Sequence, residues 1–198
     1  MLIEENEVPL AALPIEAFKA HLRLGTGFSE TTVQDAVLEG FLRAALAAIE
    51  GRTSKALLAR DFAWEVREWR DPAGQALPLA PVSALLEVVR IAADGAETVL
   101  DTALFRLVAD AHCPMLAPVA ALLPSVPTGG AMRVRFTAGF GASWGDLPAD
   151  LAQAVLLLAA HYYEFRSETA LAQGCMPFGV TALLERYRVV RLGGGAGQ

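Results

Sequence analysis

The residues that could do chemistry in this chain are few and poorly spaced for it. Five side chains could hold a soft metal: His21, His112, His161, Cys113 and Cys175. They fall on a helix flank, in a loop pair and in an apolar helix, with no CxxC and no spacing that closes a zinc tetrahedron. The two cysteines suit free thiols of a reducing interior better than a disulfide framework. Met132–Gly145, MRVRFTAGFGASWG, has the outline of a phosphate cradle between a strand and a helix. However, Gly139, Gly141 and Gly145 miss the GxGxxG pattern, and no Gly-Lys-Ser/Thr follows. Too little chain remains for a later strand with an acidic ribose partner, so the stretch reads as a tight turn from sheet to helix. Glu164 and Glu168 stand i,i+4 with Arg166 between them, which describes a solvated helix end. Neither GxSxG nor HExxH occurs. The sequence therefore offers no catalytic, cofactor-binding or metal-binding residue, and an enzyme is the least favoured reading.

One terminal pattern says more. Arg186, Arg188 and Arg191 flank Val189 and Val190 in a segment that reads as extended over Tyr187–Leu192. Arginine alternating with β-branched residues suits a strand added to another protein's sheet edge. It equally suits a last strand closing the chain's own sheet. Gly193–Gln198 reads as a flexible tail.

The elements that would position such a segment centre on Pro148–Ser167, PADLAQAVLLLAAHYYEFRS. Pro148 suits a first helical turn, and Asp150 places negative charge near the positive end of the dipole. From Leu151 to Tyr163 only Gln153 and His161 interrupt the apolar run, so this helix must be buried on most sides. It is shorter than the roughly 20 residues a bilayer requires. Earlier, Pro14–Leu24 reads as a short helix with Ile15, Phe18 and Leu22 on one stripe. A second helix follows over Thr32–Glu50, with Thr31 and Gln34 spaced for a capping box and Gly51 as its stop. On it Val33, Val37, Phe41, Ala44 and Ala48 line one face, with Leu38, Leu42 and Ile49 beside them. Val37, Phe41, Ala44 and Ala48, together with Leu151, Val155, Leu158 and Tyr162 of the central helix, are the expected core or subunit-packing residues.

Between these helices the period changes. Phe62–Arg70 alternates as an amphipathic strand, and Leu85–Ile91, Thr98–Leu100, Leu104–Val108 and Met132–Thr137 read as further strands. Asp94-Gly95 has hairpin-turn chemistry. The fold class is α+β: a small helical core of two long helices plus short terminal helices, with a β-rich insert at about 62–137. Residues 1–13 read as a loose acidic arm, and a last short helix is expected around Phe178–Glu185. We treat 1–198 as a single domain with a C-terminal arm at about 187–198.

Composition narrows the function classes. The chain is 54% hydrophobic, 19% charged and carries a net charge of −6. That is too apolar for disorder and suggests apolar surface reserved for other subunits. The acidic opening MLIEENEVP lacks the basic start of an export signal. A DNA-binding or regulatory module is the alternative to a structural subunit, and it would need a clustered basic surface. The early helices instead set Lys19, Arg23 and Arg43 against Glu16, Glu30, Asp35, Glu39 and Glu50.

Taken in order, several stretches resemble the head–tail connector (adaptor) proteins of long-tailed bacteriophages and of phage-derived gene transfer agents. They are IEAFKAHLRL, then AAIEGRTSKAL before the aromatic strand FAWEVREW, then LPLAPVSALLEVVRIAADG. VRFTAGFGASWGDLPADLAQAVLLLAAHYYEFR and PFGVTALLERYRVVRL complete the set, which spans most of the chain. Phe140 stands where the family usually has tyrosine, and Pro114–Thr128 departs most from the pattern. The resemblance implies a ring, with twelve subunits, beneath the portal of a filled capsid. The ring would receive the next neck or tail component, a stopper or tail terminator, and let DNA pass through its lumen unread. It implies a virion or phage-like particle assembled in the bacterial cytoplasm, with no cofactor and no membrane. Within it Arg186, Tyr187, Arg188, Val189, Val190 and Arg191 would form a portal-docking arm.

Overall fold

The computed structural model describes residues 1–24, 32–166 and 176–188. Four helices form one layer: α1 (Ile15–His21), α2 (Thr32–Thr53), α3 (Ala149–Glu164) and α4 (Phe178–Leu184). Leu151, Ala154, Val155, Leu158 and Ala159 of α3 are buried against Leu38, Leu42, Ala45, Leu46 and Ile49 of α2, with Phe18, Val180 and Leu184 closing the cluster. α3 packs against both α2 and α4, so it is the middle member of the layer.

The β-rich part is inserted between α2 and α3. Its larger sheet has the order β1-β2-β8-β4-β5, formed by β1 (Leu2–Glu4), β2 (Arg60–Val66), β8 (Ala131–Ala138), β4 (Val82–Ile91) and β5 (Glu97–Leu100). All of its neighbours are antiparallel. The smaller sheet has the order β3-β7-β6, from β3 (Gln75–Ala76), β7 (Met115–Pro118) and β6 (Phe105–Val108). On β8, Met132, Val134 and Phe136 face inward while Arg133, Arg135 and Thr137 face out, the period-two alternation of a strand with one buried face. The inward set meets Leu116 and Phe105 in a second core. Phe62 and Phe136 pair across the sheet and stack with ring centroids 6.0 Å apart.

Three expectations need correction. The N-terminal arm is not loose: β1 pairs with β2, Leu2 opposite Trp64 and Glu4 opposite Phe62, and Val8 and Leu13 are buried. Period-two hydrophobicity is too short there to read, and charge pairing holds the strand instead. Gly51 does not stop α2, which continues to Thr53 until Ser54 takes a left-handed φ of 55°. Of the two adjoining faces read on α2, the one holding Leu38, Leu42 and Ile49 is the core face. Leu38, Leu42, Ala45, Leu46 and Ile49 are buried, whereas Val37 and Ala44 point to solvent, because larger side chains gain more by leaving water. Finally, Tyr187 is not extended: Glu185–Tyr187 forms a 3-10 turn on the end of α4. Thr31 of the expected Thr31–Gln34 capping box lies outside the described residues.

The turn after β8 joins sheet to helix, as its glycines suggest. Gly139 has a φ of 140°, and any Cβ there would meet the backbone of Leu58 and Ala59. The Phe140 N–H donates to Leu57 O at 3.1 Å and the Ala59 N–H to Gly141 O at 2.8 Å. Asp146 then accepts from the Ser143 N–H at 2.9 Å and the Ser143 hydroxyl at 2.8 Å, which holds its carboxyl below the usual range.

Candidate assembly surfaces

Arg60 ties three elements together. Only 7% of its side chain is exposed. Its Nε donates to Glu4 Oε1 at 2.6 Å, its Nη2 to Glu50 Oε2 at 2.6 Å and its Nη1 to Leu58 O at 3.1 Å. Burial alone would lower the guanidinium pKa. The hydrogen bonds it donates to Glu50 and Glu4, with the charges of both, together outweigh burial, and the group is held firmly charged. Glu50 Oε1 also accepts from the Leu57 N–H at 2.7 Å. The adjoining groove, about 210 Å³, is lined by Glu4, Glu7, Val8, Arg43 and Glu50 among others. Both of its arginines are already committed: Arg43 donates to Glu39 at 2.7 Å and to Val8 O at 2.9 Å.

The outer face of the larger sheet carries a charge ladder. Arg135 pairs with Glu5 at 2.8 Å and lies 3.7 Å from Glu87, and Arg133 pairs with Glu97 at 2.9 Å and lies 3.8 Å from Glu65. Asp61 accepts from the Thr137 hydroxyl at 2.6 Å. Each outward arginine of β8 thus faces two carboxylates, an arrangement that leaves little positive potential for a phosphate.

The C-terminal segment is anchored where its first two arm residues lie. Tyr187 is 6% exposed, and its ring meets Phe140 edge-on with centroids 6.4 Å apart. Its hydroxyl donates to Asp150 Oδ1 at 2.8 Å, and burial, helped by Asp150, raises its pKa. Arg186 Nε sits 3.0 Å from Asp150 Oδ2, and its guanidinium lies over the Tyr187 ring and donates to the Tyr187 hydroxyl. Arg186 and Tyr187 are thus fixed to the start of α3 rather than leaving the core. Arg188 Nη1 is 3.7 Å from Glu185 on the surface. Val189, Val190 and Arg191 lie outside the described residues.

Of the packing residues named from sequence, Leu151, Val155 and Leu158 are buried in the helical core. Tyr162 and Phe41 are half-buried, and Phe41 meets Tyr163 edge-on at 5.9 Å. Burial raises the Tyr162 pKa. Ala48 is half-buried, and Val37 and Ala44 are exposed. The exposed face of α2 carries Ala36, Val37, Gly40, Ala44, Ala47 and Gly51, and Arg52 in its last turn is exposed beside them. Beside it a depression of about 320 Å³ is lined by Leu10, Asp35, Ala36 and Glu39. Phe178, at the first position of α4, is 88% exposed. None of these exposed apolar positions was named from sequence except Val37 and Ala44; exposure of a lone Phe or Leu has no sequence signal.

No group of three or more metal-ligating side chains comes together among the described residues, and none of their helices is long and apolar enough to cross a membrane. His161 packs on Phe165 with centroids 4.6 Å apart, and the His112 and Cys113 N–H groups both donate to Asp110 Oδ1 at 2.7 Å. Lys55, fully buried, donates to Ala111 O at 2.7 Å in the same loop, and burial lowers its pKa. This lysine was not singled out from sequence, where it reads as an ordinary residue after a helix.

Neither a protein-family model nor a curated protein matches the chain. Solved structures do. A chain in the neck of an empty gene transfer agent (GTA) particle, computed with C6 symmetry, is 52% identical, with a TM-score of 0.89 and complete coverage of both chains. A chain in the virion of a native GTA particle is 50% identical over 98% of each chain, with a TM-score of 0.86. A chain in the neck of a native GTA particle, computed with C12 symmetry, is 48% identical over both full lengths, with a TM-score of 0.85. Identity of that order along the whole chain, with the helical layer, inserted sheets and Gly139 turn in place, makes this chain a member of the phage-type head–tail connector (adaptor) family found in gene transfer agent necks.

Proposed function

We propose that the protein is a structural subunit of the head–tail neck of a phage-like particle, one copy in a ring that joins capsid to tail. The observation that carries this is the full-length likeness, at about half identity, to chains of GTA necks solved with C6 and C12 symmetry. Its role is that of a building block rather than an enzyme. The ring of twelve sits beneath the portal, meets a stopper or tail terminator on its other side, and passes DNA without reading it. The doubly paired arginines on the outer sheet face support passage without capture.

The exposed faces of α2, including Val37 and Ala44, serve subunit contacts, while Leu151, Val155 and Leu158 hold the subunit together. The portal-docking arm begins at Arg188: Arg188, Val189, Val190 and Arg191 add extended backbone to the portal's sheet edge, with Arg186 and Tyr187 as the fixed base. The test is cryo-electron microscopy of particles made with a tagged copy, together with co-purification with the portal protein. Ring density at the neck is the expected result. Tailed particles that lack the protein, or that carry it elsewhere, would refute the proposal.

A further inference from the structure

The helical layer ends in two apolar features of opposite shape. At one end Phe178 projects from α4, about 200° round the helix from buried Val180 by helical geometry. At the other end lies the depression of about 320 Å³ lined by Leu10, Asp35, Ala36 and Glu39, with Val37 beside it. Leu10 is 56% and Val37 47% exposed. α3 separates the two: it packs against both α2 and α4, and the buried faces of both helices turn toward it. The protrusion and the depression therefore belong to different helices, one on each side of α3.

Two different surfaces on one copy are what a cyclic assembly uses. A head-to-tail contact uses two different surfaces, one at each end of the copy, whereas a two-fold contact uses one surface twice. We propose that Phe178 of one copy seats in the Leu10–Ala36 depression of the next copy, and that this contact, repeated, closes the ring. The inference rests on the neck-subunit reading given above. Its occupant is a second copy because symmetric neck assemblies are where chains similar to this one are found. The rim of the depression also suits an uncharged guest. Asp35 is paired with Lys19 at 2.7 Å and Glu39 with Arg43 at 2.7 Å, so an aromatic ring entering there strands no free carboxylate. The small residues Ala36 and Gly40 let a neighbouring element approach the α2 backbone closely.

The test is disulfide trapping in assembled particles, in a background with Cys113→Ser and Cys175→Ser. Phe178→Cys combined with Ala36→Cys in one chain should give a ladder of covalent oligomers on non-reducing gels, and either substitution alone should give none. Ring density at the neck without a ladder overturns this inference and leaves the neck reading intact. Absence of the protein from the neck in the cysteine-free background overturns both. A dimer from Phe178→Cys alone, or a cross-link to a different protein, also overturns it, since Phe178 then meets another surface. In parallel, Phe178→Ser should leave the thermal transition of the free protein unchanged. It should weaken each subunit contact about tenfold, from the lost burial of one aromatic ring, and so deplete the ring from particles. Normal ring occupancy in that variant would count equally against the contact.

Discussion

Replacing Arg60 by alanine would leave Glu50 buried beside an empty site, still accepting from the Leu57 N–H. Truncating one partner of a buried pair costs about 3 kcal/mol or more, so urea denaturation should show a large fall in midpoint. Glu4→Gln should cost about 1 kcal/mol or less, because that carboxylate is partly in water. Equal effects of the two would mean that β1, not the buried Glu50–Arg60 pair, dominates. Asp146 gives a pH-dependent counterpart. Its folded pKa lies below 3.8, so its contribution is complete above the unfolded carboxyl's value and fades as pH falls through the lower folded one. The stability difference between wild type and Asp146→Asn should therefore shrink as the solution is acidified below about pH 4, as followed by thermal melts. A difference constant down to the lowest accessible pH would assign the loss to packing instead.

At the scale of elements, the C-terminal turn separates anchoring from reach. Deleting residues 189–198 should leave the thermal transition unchanged and remove attachment to heads. Deleting 187–198 also removes the buried Tyr187 ring and its bond to Asp150, and should lower stability by about 3 kcal/mol. Calorimetry on the two truncations checks this: equal melting temperatures would mean that Tyr187 does not hold the turn. The extended reading of Tyr187 failed because alternating Arg and Val look alike in an arm and at a helix end, and only Phe140 and Asp150, far off in sequence, decide between them. Helices α1 to α4 and strands β2, β4, β6 and β8 were legible from periodicity, since each has one face in a core, whereas β5 is an exposed edge strand that only Leu100 ties to one. Short β1, β3 and β7 were not; two to four residues, with Pro118 closing β7, carry too little period, and their order comes from partners such as Trp64 and Leu116. Which of its two apolar faces α2 buries was not legible, because Ala and Val fit a buried helix as well as a contact face. Distinguishing them depends on where Leu38 and Leu42 find room.

For the whole molecule, a net charge of −6 and paired outward arginines argue for weak, salt-sensitive contact with DNA. Fluorescence anisotropy with short duplexes at physiological salt should show no sequence-dependent binding. A sub-micromolar, sequence-dependent complex would contradict the passage role. The two cores also meet where the chain passes between them. Lys55 bridges to Ala80, and Leu58 to Gly141, each as a single parallel β-bridge, while Leu57 and Ala59 exchange backbone hydrogen bonds with Phe140 and Gly141. The chain enters the insert and leaves it side by side at this point, where Arg60 and Glu50 add their ion pair. A pull that separates the two layers therefore loads these neighbouring bonds together. Load on this joint is shared with the N-terminal segment, which pairs with β2 and buries Val8 and Leu13 among the helices, and Gly139 sets its tightest point, since no side chain can replace it without pushing on Leu58 and Ala59.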